Sequence, residues 1–111
     1  MYPTPGRLLK ASIEIDDTAA SDVYYIQCFN LADIPVNGTA LTATNTICAV
    51  FAAKHTTGTP TLVNLDFVND KTNGNSGFEF NTALTIAAST TQFTITAATN
   101  IFVATAYYET I

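Results

Sequence analysis

Apolar and polar residues alternate with a period of two along most of this chain, and turn chemistry interrupts them every few residues. No 3.6-residue apolar stripe persists over a helix-length window, so a helix would have no face to bury, whereas strands do. Leu9, Ala11, Ile13 and Ile15 alternate with Lys10, Ser12 and Glu14, predicting a first strand. A turn at Asp16-Asp17 and residues 19–22 leads to a second strand over 23–30. Residues 32–38 hold Pro35 and the turn dipeptide Asn37-Gly38. A weaker third strand at 39–44, a bend at Asn45 and a strongly apolar fourth strand at 46–53 follow. After the loop 55–60, Val63, Leu65 and Phe67 alternate with Asn64, Asp66 and Val68 in a fifth. Residues 69–77 are the longest polar loop. Phe78, Phe80, Leu84 and Ile86 alternate with Glu79, Asn81, Ala83 and Thr85 in a sixth strand. Phe93 and Ile95 mark a seventh, and 101–108 an eighth. One short helical turn is expected near 31–33.

Eight short strands and 111 residues predict one all-β domain. The expected architecture is an eight-stranded antiparallel sandwich, jelly-roll-like, with a small barrel or an immunoglobulin-like sandwich as alternatives. Residues 1–6, with two prolines and a glycine, are expected to form an extended arm, and 7–111 the domain.

Charge narrows the function classes. Only 12% of residues are charged, against a usual share of about 25%, and twenty Thr and sixteen Ala fill the gap. With four Lys plus Arg and a net charge of −5, the chain has no basic patch to displace counterions from phosphates. Nucleic acid and anionic membrane surfaces are therefore not expected partners. The Met1–Gly6 stretch has no charged start followed by an apolar core, so it does not read as a signal peptide. No stretch approaches the roughly 18 apolar residues of a membrane helix. The expectation is a protein made in a host cytoplasm and kept there or packaged into a particle.

No residue set predicts catalysis, a cofactor or a metal. His55 is the only base for a Ser or Cys nucleophile, opens a Thr/Gly/Pro loop, and reads as a solvated loop histidine. No G-x-S-x-G elbow exists. Glu14, Asp66 and Glu79 are carboxylates on polar strand faces, and nothing pairs them. The loop 69–77 superficially resembles a calcium loop, but counting from Asn69 places Lys71 at position three and Phe80 at twelve, where acidic ligands are required. Asn37-Gly38-Thr39 matches an N-glycosylation pattern and reads more simply as a turn. Cys28 and Cys48 fit no zinc spacing and read as reduced, buried thiols, with a bridge between them as the alternative.

Three strands are apolar on both faces. Val23, Tyr25 and Phe29 oppose Tyr24, Ile26 and Cys28; Ile47, Ala49 and Phe51 oppose Cys48, Val50 and Ala52; Ile101, Val103 and Tyr107 oppose Phe102, Ala104 and Tyr108. A two-layer sandwich buries one face of each sheet, so the second face needs cover from a loop, an arm or another chain, and neighbouring copies are the expected cover. The residues expected at that interface are Tyr2, Pro3, Tyr24, Ile26, Val50, Phe102 and Tyr108. The Thr/Ala-rich strands, the Pro-containing arm and the scarcity of catalytic residue types resemble the texture of small virion proteins of bacterial viruses. That resemblance implies a capsid decoration, spike or fibre-type subunit, a homo-oligomer (a trimer above all) contacting other virion proteins. The competing reading is a lectin-like module whose outward tyrosines stack on a surface glycan.

Overall fold

In a computed structural model, which describes residues 6–69, 71–72, 75–97 and 102–110, the first alternating run becomes the longest strand, β1 (Gly6–Ile15). Its inward side chains are Leu8, Ala11, Ile13 and Ile15, and the three-residue step from Leu8 to Ala11 breaks strict alternation. The cause is a bulge, seen as a register shift between Leu8 and Lys10. One extra residue at a bulge reverses the facing of everything beyond it.

Around β1 lies the first sheet, antiparallel throughout. On one side β9 (Phe102–Thr110) pairs along the whole of β1. On the other, β4 (Thr61–Asp66) pairs with residues 10–15, and β7 (Phe78–Phe80) continues in line beside residues 6–8. Between β4 and β7 the chain makes a small hairpin, β5 (Lys71–Thr72) with β6 (Asn75–Ser76), at the level of the bulge. Phe67 N–H donates to the Leu9 carbonyl at 2.8 Å before the excursion, and Gly77 N–H donates to the Phe67 carbonyl at 3.1 Å after it.

The second sheet has the order β3 (Phe51–His55), β2 (Asp22–Phe29), β8 (Thr85–Ser89), again antiparallel. The two sheets pack together, and the architecture is a β-sandwich of seven strands. Their shared core joins Leu8, Ile13 and Ile15 to Tyr24, Ile26, Cys28, Leu65, Phe67 and Phe80. At one end, the β1–β2 and β3–β4 turns are laced together. Thr57 Oγ1 donates to the Ala19 carbonyl at 2.7 Å, and Gly58 N–H to the Asp17 carbonyl at 2.7 Å. At the other, the Asn30 side-chain oxygen accepts the backbone N–H groups of Asn81, Thr82 and Ala83, pinning the chain where it crosses between sheets.

Several expected elements differ. The expected sixth strand is two strands in different sheets, since residues 81–84 carry the chain across. The expected third and seventh strands are reduced to one bridge, Ala40 with Thr94, and the fourth to Phe51–His55. No helix occurs among the described residues; residues 31–33 are bends. The arm expected over 1–6 lies outside the described residues except Gly6, which belongs to β1.

The outer face of the second sheet is covered by the chain itself over β8 and the C-terminal half of β2, while Ala52 and Lys54 on β3 stay exposed. Phe29, Ala87 and Ile95 form a second buried cluster, with Leu31, Leu41 and Ala97 against it. Gly38 N–H donates to the Ile95 carbonyl at 2.8 Å, Ile95 N–H to the Thr39 carbonyl at 3.0 Å, and Leu41 N–H to the Phe93 carbonyl at 3.0 Å. These bonds bind the β2–β3 and β8–β9 connections into a third layer. Gln27 holds that layer down, its amide donating to the carbonyls of Thr91 and Thr94 at 3.0 and 3.1 Å.

Candidate assembly surface

The expected interface residues divide sharply. Tyr2 and Pro3 lie outside the described residues. Tyr24 and Ile26 are 2% and 1% exposed, inside the core between the sheets, so their expected outward facing is corrected. Both faces of β2 are apolar, and the face that keeps Tyr24 inward gives its hydroxyl a partner, the Ala20 carbonyl at 2.8 Å. Val50 is half-buried. Phe102 enters β9 opposite Ile15, and its side chain lies outside the described set. Tyr108, half-buried, turns inward and meets Phe80 edge-on at a ring separation of 6.4 Å. The outward tyrosine is its neighbour Tyr107, 58% exposed. A signal for this existed in the sequence. Positions 105, 107 and 109 share one face, and a charge at Glu109 marks that face as the wet one.

His55 is also corrected. It is 1% exposed, with Nδ1 at 2.7 Å from Thr61 Oγ1 and its ring edge-on to Tyr24 at 5.9 Å. The Lys54-His55-Thr56 sequence suggested solvent, but strand β3 extends through His55 and aims the imidazole inward.

The site that remains is β9 with the face beside it. Among the described residues β9 pairs only with β1, and no other described strand lies beside its outer edge. An unpaired edge is a row of free backbone donors and acceptors, and soluble proteins usually guard it with Lys, Pro, a bulge or a covering loop. The β9 sequence Phe-Val-Ala-Thr-Ala-Tyr-Tyr-Glu-Thr contains no Lys, Pro or Gly. Its one charge, Glu109, sits 3.9 Å from Arg7 on the far side, a separation too long and too exposed to stabilise much.

Beside the edge, cross-strand register builds three rows on the outer face of the first sheet. Tyr107, Lys10 and Asp66 form one; Thr105, Ser12 and Asn64 the next; Glu14 stands beside Leu62 in the third. Ser12 Oγ donates to Asn64 Oδ1 at 3.1 Å. A groove of about 450 Å³ is lined by Leu9, Lys10, Val68 and Tyr107. It offers an aromatic ring, an ammonium group and apolar walls. Asp66 on β4 stands opposite Lys10, four residues along β1 from Glu14, about 13 Å at 3.3 Å per residue, wider than the separation of paired glycosidase carboxylates. No cluster of three His, Cys, Asp or Glu able to hold a metal occurs among the described residues. No described helix is long and apolar enough to cross a membrane.

Tyr24 supplies a test of the core. Burial pushes its phenol above the ordinary 10.0, and the Asp22 carboxylate adds to the shift. A raised folded-state value means that its stabilising contribution is complete below pH 10 and is lost as pH rises through the folded value. The expected result is a fall in Tm on the alkaline side that is shallower in Tyr24→Phe. Equal alkaline slopes for the two proteins would count against the buried phenol.

Comparison with protein-family models, with curated proteins and with solved structures returned no match to this chain.

Proposed function

We propose that this chain is a non-enzymatic structural assembly protein, a small virion component of the capsid-decoration, spike or fibre type, and that copies join through the β9 edge. One observation carries the reading: a nine-residue outer strand that contains no Lys or Pro and, among the described residues, pairs only with β1. The edge is also self-complementary. Antiparallel pairing of two copies about Ala106 sets Thr105 opposite Tyr107, Ala104 opposite Tyr108 and Val103 opposite Glu109. No like charges face each other in that register, and Tyr is a residue type enriched in interfaces. This contact is two-fold and extends the first sheet across two molecules. A trimer would instead require β9 of one copy to meet the opposite edge, β4, of the next.

Light scattering after size exclusion tests the proposal. The wild-type chain is expected to run as a dimer or larger species, and Thr105→Lys, which sets ammonium groups close together across the two-fold axis, to shift it to monomer. A wild-type chain that stays monomeric at high concentration overturns the reading.

The Tyr107 groove supports a second reading, a glycan-binding module. An exposed ring beside Lys10 and Asp66 suits a sugar face and its hydroxyls. Retention of the chain on immobilised polysaccharide, abolished in Tyr107→Ala, would favour it.

A further inference from the structure

The two cysteines meet at the base of the third layer. Cys28 is buried on the inward face of β2, near the start of the β2–β3 connection, and Cys48 lies near its end, half-buried against the same core. Two backbone links hold the segments together: Ile47 N–H donates to the Cys28 carbonyl at 3.0 Å, and Phe29 bridges Thr46. Neither cysteine is in a disulfide, and the Cys48 side chain is close enough to act on the Cys28 thiol. We infer that Cys28 and Cys48 form a reversible redox pair whose disulfide locks the β2–β3 connection over the second sheet.

The backbone pairing of the two segments already holds the cysteines side by side, so closing a sulfur–sulfur bond of about 2 Å calls on side-chain rotation. The ring so closed contains residues 29–47, including Gly38, Thr39 and Leu41, whose backbone bonds build the third layer.

The two thiols have unequal roles. The Cys48 hydrogen bond and burial both push the Cys28 thiol well above its ordinary range, so Cys28 is a poor first nucleophile. Half-exposed Cys48 attacks first. With a small-molecule disulfide such as oxidised glutathione as oxidant, the Cys48 thiolate displaces one glutathione thiolate and forms a mixed disulfide. The Cys28 thiol then gives up its proton, and its sulfur attacks Cys48 sulfur and expels the second glutathione. In sum, two protein thiols are oxidised by two electrons and one glutathione disulfide is reduced to two glutathione thiols.

The test is intact-mass and peptide mapping after incubation of the native chain in glutathione buffers of graded ratio. The expected product has lost two hydrogens, carries a Cys28–Cys48 crosslink and resists alkylation. Its Tm rises by on the order of 10 °C, as expected for a closed ring of this size. Cys28→Ser is expected to stop at a lasting glutathione adduct on Cys48, and Cys48→Ser to remain unmodified while folded. A wild-type chain that stays dithiol at every ratio overturns the inference. So does one that accumulates the mixed disulfide or crosslinks between chains. The wild-type mapping decides the matter even if a variant fails to fold.

Discussion

Gly77→Ala is expected to lower the unfolding free energy by roughly 3 kcal/mol, read from the urea midpoint at unchanged slope. Two costs combine. Gly77 has φ of +83°, where a Cβ is strained, and that Cβ would press directly on the Leu8 carbonyl oxygen, which is strand backbone held by its own pairing. The position matters because the chain rejoins β1 there after the β5–β6 hairpin, in line with the bulge. Gly58 is the control. Its φ is +97°, but a Cβ there meets nothing within 4 Å. Gly58→Ala is therefore expected to cost about 1 kcal/mol, from conformation alone. Equal losses at the two sites would mean that the close approach to Leu8 is not sensed.

Phe29→Ala is expected to cost about 3–5 kcal/mol, the usual range for emptying a fully buried aromatic site. The location makes this informative. Phe29 has no exposed surface, yet it faces away from the main core and is sealed by Ile95, Ala87 and the laced connections. Hydrogen exchange is expected to accelerate at the Leu41 and Ile95 amides, which hold the third layer together. A loss below about 1 kcal/mol, with exchange unchanged, would show that this layer lies outside the cooperative unit.

These two substitutions probe features that differed in how well the sequence announced them. Asn37-Gly38 and the His55–Pro60 loop read as turns, and the structure has a turn at each. Nothing in the local pattern around Gly77 marked it as a point of contact with β1, because the neighbour is Leu8, distant in sequence. Phe29 read as one more apolar residue on a two-faced strand. The excess apolar surface of β2 was legible, and of the possible covers (a loop, an arm or another chain) copies of the chain were the expected one. For β2 the cover is intramolecular: a 21-residue connection and residues 91–97 fold back over it. For β9 the described residues show no second strand at its outer edge, which is why the proposed assembly rests there and not on β2.

Tyr24 and Tyr108 carry a related lesson. Alternation within a strand states which residues share a face but not which face looks inward. On β2 both faces were apolar, so parity was undecided until the Tyr24 hydroxyl met the Ala20 carbonyl and Gln27 met the β8–β9 connection on the other side. On β9 the Glu109 charge could have set the parity and identified Tyr107 as the outward ring.

Period-two patterning, scarce charge and turn dipeptides were enough to determine an all-β chain with strands near these positions, because side-chain alternation and turn backbone preferences are local properties. Only the tertiary structure decided the bulge at Leu9, the crossing at 81–84 that splits one apparent strand between two sheets, the burial of His55 and the third layer. Each of these depends on contacts between residues tens of positions apart, where burial and hydrogen-bond satisfaction outweigh local preference.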